Sequence, residues 1–128
     1  MSYSFSKKSE ANLTQCSADL QTLFRTVIKH RDCSIICGQR GEMEQNAAYD
    51  LGHSKLRFPK SKHNKTPSLA VDVIPYPFAG WSDIKQFREF GNFVLGVAAM
   101  LKSYGAIESD ITWGGNWTSF RDYPHYQI

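Results

Sequence analysis

The sequence predicts an α+β domain with a central antiparallel sheet flanked by helices. Two segments carry apolar residues at helical spacing, short runs between and after them alternate like strands, and the order reads helix, strand, helix, loop, strand, helix, strand, strand. At 128 residues the chain has the length of one domain, and 8 Phe, 6 Tyr and 3 Trp within a 41% hydrophobic share can fill its core. Neither an internal repeat nor a composition break marks a linker, so residues 1–128 read as a single domain.

After a polar start, Ser17 serves as N-cap of the first helix, with Asp19 favourably placed in its first turn. Leu20, Leu23, Phe24, Val27 and Ile28 then form one apolar stripe. Cys33-Ser-Ile-Ile-Cys reads as a short buried strand in which Cys33, Ile35 and Cys37 share a face, closed by Gly38. Arg40 follows in a glycine-flanked turn, where it can either reach into a cleft or simply face solvent. Glu44 to Leu51 makes a short helix ending at Gly52, and His53 to Pro67 forms a long basic loop. In the next strand Leu69, Val71 and Val73 face one way and Ala70, Asp72 and Ile74 the other, until Pro75-Tyr76-Pro77 stops it. Ser82 or Asp83 caps a helix that runs to Tyr104, with Gly105 as its stop and Ile84, Phe87, Gly91, Val94, Leu95, Ala98 and Leu101 as its buried stripe. Ile111-Thr-Trp is a short strand, Gly114-Gly115 a turn, and His125 to Ile128 the last strand.

Composition narrows the function classes. No window reaches the ~18 apolar residues of a membrane span, and the N-terminus lacks the apolar core of a secretory signal. Cys16, Cys33 and Cys37 are an odd set that fits buried thiols in a reducing compartment better than disulfides. The net charge of +3 concentrates in Lys55, Arg57, Lys60, Lys62 and Lys65, which read as a solvated loop. No zinc-finger spacing or RNA-binding aromatic signature supports a nucleic-acid partner.

An aspartate inside a strand needs a strong partner, because an unpaired buried carboxylate costs several kcal/mol. A cation can be that partner. Hydrolytic zinc sites use three nitrogen or carboxylate ligands and leave one position for water. His63 in the loop, Asp72 on a strand and His125 on the last strand can supply such a set. Asp122 lies three residues before His125, with Pro124 between them, and can hold a second carboxylate beside the metal-bound water as general base. His30 and His53 read as structural or merely exposed.

These residues also carry a resemblance. Ser61-x-His63 followed by Ser68-x-Ala70-x-Asp72 resembles the S-x-H-x-x-G-x-A-x-D signature of the zinc D-Ala-D-Ala peptidases, which include the VanX- and VanY-type enzymes. Ser54-Lys55, Phe58-Pro59, Ser61-Lys62-His63-Asn64, Ala70-Val71-Asp72-Val73 and Pro75-Tyr76-Pro77 resemble more closely the bacteriophage endolysin branch, the L-alanyl-D-glutamate endopeptidases. So do Trp113-Gly114-Gly115-Asn116-Trp117, Phe120 and Asp122-Tyr123-Pro124-His125. The resemblance implies a Hedgehog/DD-peptidase-like fold and one zinc ion on His63, Asp72 and His125. It further implies Asp122 as the catalytic carboxylate, Arg40 as the group that stabilises the oxyanion, and Ser61 hydrogen-bonding nearby. Relative to the common signature, the loop from His63 to Asp72 is two residues longer, Ser68 replaces a glycine, and Asp122 stands where many relatives have Glu. Asn116 stands where relatives often place Asp.

The implied function is a zinc-dependent peptidoglycan stem-peptide endopeptidase, cutting at L-Ala-D-Glu as a phage-type lysin. Alternatives are a D-Ala-D-Ala carboxypeptidase or dipeptidase in the same fold, and, from another class, an inactive wall-binding or virion structural module. The expected protein is a monomer, a single zinc peptidase catalytic domain over residues 1–128 with no separate wall-binding domain, and does not insert into a membrane. It would stay in the host cytoplasm until a holin-type protein releases it to bacterial peptidoglycan.

Overall fold

In the computed structural model, which describes residues 3–128, four helices and a four-stranded sheet are connected by two 3₁₀ turns. Helix α1 (Lys7–Thr14) occupies the segment that periodicity leaves as a polar start. Its role explains why an apolar pattern does not reveal it. Ser6 caps it by accepting from Ser9 N at 3.1 Å, and its inner face is mostly polar. That face covers an edge of the sheet: Ile35 N donates to Ser9 Oγ at 3.0 Å, and Asn12 Nδ2 donates to Ile35 O at 2.8 Å. Backbone groups left unpaired on an edge strand are thereby satisfied.

Helix α2 (Ala18–Val27) buries Leu20, Leu23, Phe24 and Val27, with Ile28 just beyond its end, as the stripe predicts. Ser17 holds the N-cap position, but its hydroxyl makes no capping bond. Strand β1 (Cys33–Cys37) follows, then α3 (Glu42–Asp50), which starts two residues before the expected Glu44. The loop after α3 is not structureless throughout, since it contains a 3₁₀ turn at Lys62–Asn64. Strand β2 (Ala70–Pro75) leads to α4 (Ile84–Ser103), capped by Asp83, which accepts from Gln86 N at 3.0 Å. Phe90 and Val97 join the buried face of α4, while Ile84 and Leu95 are only half-buried. None of the helices among the described residues is long and apolar enough to cross a membrane. Strand β3 (Thr112–Trp113), a 3₁₀ turn at Gly114–Asn116 and strand β4 (His125–Gln127) complete the chain.

The sheet is antiparallel throughout, in the order β1-β2-β4-β3. Val71 and Val73 point into the core with Ile35, Trp113 and Tyr126, against α2 and α4. Phe24 meets the Tyr126 ring edge-on at 5.3 Å. Trp113 lies so close to α4 that a Cβ on Gly91 would stand 2.6 Å from its ring, so only glycine permits the approach. Side chains alternate along strands, so Asp72 and His125 project from the opposite face. Register pairs Val71 with Tyr126 and Asp72 with His125. The core therefore supports the site from below.

A bulge separates Ile35, paired with Val73, from Cys37, paired with Asp72. It corrects one expectation. Cys37 does not continue the buried Cys33–Ile35 face but is half-buried beside the site. A bulge shifts the strand by one residue and so redirects every side chain after it. Cys16 and Cys33 are buried as expected, and burial pushes both thiols up to about 12.

Candidate active site

His63, Asp72 and His125 come together from three segments. The 3₁₀ turn presents His63, and its geometry is fixed locally: His63 N donates to Ser61 Oγ at 3.2 Å, and Ser61 N donates to Asn64 Oδ1 at 3.0 Å. Ser61 thus shapes the turn that carries His63. The sheet register presents Asp72 and His125 side by side. Each of the next groups is also pinned: Asp122 N donates to Gly114 O at 3.0 Å, Trp113 Nε1 to Tyr123 O at 2.7 Å, and Val73 N to Pro124 O at 2.9 Å.

Outer hydrogen bonds set the tautomers of both imidazoles. His63 Nδ1 lies 2.8 Å from Gly38 O, a pure acceptor, so it carries the proton and leaves a lone pair on Nε2. His125 Nε2 likewise donates to Gln127 Oε1 at 2.8 Å, leaving a lone pair on Nδ1. These lone pairs converge on one carboxylate oxygen. His63 Nε2 is 3.3 Å and His125 Nδ1 3.4 Å from Asp72 Oδ1, and the two nitrogens are 3.3 Å apart. Asp72 Oδ1 is buried and receives no directed hydrogen bond. An orphaned buried carboxylate oxygen facing two lone pairs calls for a cation. Tetrahedral ligands at ~2.0–2.1 Å from a metal stand about 3.3–3.4 Å apart, so the three atoms already have the required spacing. The donor set fits zinc.

Cys37, His63 and Asp72 also offer ligand atoms within 4.8 Å of one another. The thiol, however, approaches the wrong side of the ring. Cys37 Sγ is 3.9 Å from His63 Nδ1, the nitrogen that Gly38 O already holds. The His63–Asp72–His125 triangle is tighter and uses the free nitrogen, so it is the better cation site.

Electrostatics follow from this crowding. Burial disfavours charge on His63, but the Asp72 carboxylate facing Nε2 and the Cys37 thiol outweigh it and raise the pKa to about 10, so a proton competes with a cation for that lone pair. Burial likewise raises Asp72, and the two histidines overcome it, holding the carboxylate well below its usual range. Asp122 moves the other way: burial and then the negative charge of Asp72 raise it, against the opposing pull of His125, His63 and Arg40. Asp122 Oδ2 stands 3.8 Å from His125 Nδ1, close to the triangle without joining it.

Arg40 reaches the same centre, with one guanidinium nitrogen 3.4 Å from Asp72 Oδ2. The other donates to Gln45 Oε1 at 3.0 Å. Sequence reasoning missed Gln45, which is fully buried and is the hub of the neighbouring loops. Its Oε1 also accepts from Asn64 Nδ2 at 3.2 Å, and its Nε2 donates to Ser54 Oγ at 2.9 Å and Leu56 O at 2.6 Å. The available signal was indirect: α3 has no apolar stripe, so it must be held by polar contacts.

These groups open into a cleft of about 830 Å³, walled on one side by aromatic rings. Trp81 stacks on Phe87 at 6.0 Å and Phe87 on Tyr123 at 5.6 Å, while Trp117 covers His125 at 5.1 Å. A cavity of about 390 Å³ beside Tyr76 and Glu89 contains none of the site residues. His30 and His53 are exposed, as expected, and Ser68 is buried, with its hydroxyl donating to Ala70 O at 2.6 Å.

Among solved structures, the chain is similar to the Serratia marcescens L-Ala D-Glu endopeptidase ChiX, with a TM-score of 0.73 at 23% identity, covering 95% of this chain and 86% of that one. That likeness establishes the shared fold. A likeness of sequence reaches further, because the profile described as "Phage L-alanyl-D-glutamate peptidase" matches residues 1–127, taking in the 3₁₀ turn, both central strands and the Asp122 loop. By that match the chain belongs to the phage L-alanyl-D-glutamate peptidase family.

Proposed function

We propose that this peptidoglycan endopeptidase cuts the L-Ala-D-Glu bond of stem peptides with one zinc ion held by His63, Asp72 and His125. The observation that carries the reading is the triangle of unshared electron pairs, at 3.3, 3.3 and 3.4 Å, around an otherwise orphaned Asp72 Oδ1. Zinc bound there would supply Lewis acidity toward the scissile carbonyl and toward water. Asp122, beside that triangle and outside it, takes the proton of the attacking water and then delivers it to the departing amine of D-Glu. A carboxylate whose pKa is raised is suited to both roles, since it must accept and release a proton in one cycle. Arg40 stabilises the negative charge that gathers on the carbonyl oxygen, because its guanidinium fork is fixed by Gln45 and already faces the centre. Ser61 acts through the turn, holding His63 in place.

Mass spectrometry of purified peptidoglycan, digested with and without a chelator, tests the reading. A new D-Glu amino terminus that appears only without chelator is expected. Release of free D-Ala, or digestion indifferent to the chelator, would contradict it. As a phage-type lysin the protein would meet its substrate after a holin-type protein opens the membrane; wall lysis by added protein in permeabilised but not intact cells would support that route.

A further inference from the structure

The cleft wall has an unbalanced charge that catalysis does not use. Five cationic side chains line it, Arg40, Lys55, Lys60, Lys62 and Arg121, against only two carboxylates, Asp72 and Asp122. Two of the cations are engaged. Arg40 faces Asp72 and Gln45, and Lys62 Nζ donates to Ile128 O. Lys55, Lys60 and Arg121 have no carboxylate within ion-pair distance among the described residues. Two of them lie on loops that meet. Lys55 lies over the Phe120 ring at 5.3 Å, so the loop after α3 and the loop before Asp122 meet where Arg121 follows Phe120. Arg121 is also the immediate neighbour of the proposed base.

Substrate chemistry supplies the missing anion. Glutamate has two carboxyl groups, and a peptide chain continues through only one. The leaving half of an L-Ala-D-Glu substrate therefore brings a free carboxylate within a few bonds of the departing nitrogen. The charge of Asp72 would be taken up by the bound cation, but Asp122 lies outside the triangle, and its like charge opposes the substrate carboxylate. Cations on the adjoining wall offset that repulsion.

We propose that Arg121, Lys55 and Lys60 form a carboxylate-reading subsite that makes the enzyme select D-Glu over its amide. The inference rests on the L-Ala-D-Glu reading above and extends it to substrate choice. Arg121 supplies the directional fork, and the two lysines supply charge.

The test uses two soluble stem peptides that differ only in that group, carboxylate against carboxamide. Soluble peptides remove any contribution from adsorption to the wall. Wild-type zinc-loaded enzyme should favour the acid by at least roughly tenfold in kcat/KM at low salt, and the preference should shrink as salt is raised. In R121Q combined with K55Q and K60Q the preference should collapse, through a higher KM for the acid. R121K in the wild-type background should keep part of it. Equal cleavage of both peptides by wild type, or an equal loss on both in the triple variant, would overturn the subsite. If wild type cuts neither peptide, or cuts elsewhere, the underlying reading falls with it. That failure is visible before any variant is made.

Discussion

Asp122 is positioned by its backbone as much as by its side chain. Gly114 accepts a hydrogen bond from Asp122 N, and a Cβ on Gly114 would stand 2.4 Å from Asp122 O. Something must move if that Cβ is added, and the Asp122 loop is what it meets. G114A should therefore lower kcat by roughly 10–100-fold while zinc content stays equimolar, measured by metal analysis beside turnover. Gln45 makes the same point for Arg40. Q45L removes the acceptor of Arg40 and Asn64 and the donor to Leu56, leaving buried polar groups unpaired. Denaturant unfolding should show a loss of about 2–3 kcal/mol, and a stability change under 0.5 kcal/mol, roughly that of an ordinary surface substitution, would refute the hub.

At the scale of elements, sequence and structure agree where burial is apolar and diverge where contacts are polar. The stripe of α2 and the alternation of β2 were legible, because water drives those faces inward whatever their neighbours. Helix α1 was not, since Ser9 and Asn12 bond the backbone of Ile35 and leave no apolar period. The bulge that turns Cys37 toward His63 was also hidden, because register depends on the partner strand. His63, Asp72, His125, Asp122 and Arg40 could be chosen from their ligand chemistry and the resemblance. Gln45 could not, because its role depends on three loops meeting in space. Another polar link joins α2 to the segment after α4: Asp19 Oδ2 accepts from Glu108 N at 3.1 Å, Ser109 N at 3.0 Å and Ser109 Oγ at 2.6 Å. The bond from Ser109 holds its pKa below the ordinary value. A depressed carboxylate stabilises the fold above its unfolded pKa of about 3.9 and loses that contribution as pH falls through the folded value. D19A should cost roughly 1 kcal/mol at pH 7, screened by its exposure, and the gap from wild type should narrow in acid melts.

Across the whole molecule, the site ties together a 3₁₀ turn and two strands that lie far apart in sequence. A cation bound by all three favours the folded state over the unfolded chain. Zinc at about a hundredfold excess over Kd should add ~2.7 kcal/mol of stability, seen as a rise of several degrees in Tm. H125A should lose that rise. A separate measurement bears most directly on the division of labour between the triangle and the neighbouring carboxylate: turnover of D122A on purified cell walls, with zinc content determined on the same sample. Equimolar zinc with a rate lowered roughly 10²–10⁴-fold is the predicted result. Wild-type turnover by D122A, or loss of the zinc along with the activity, would contradict the account.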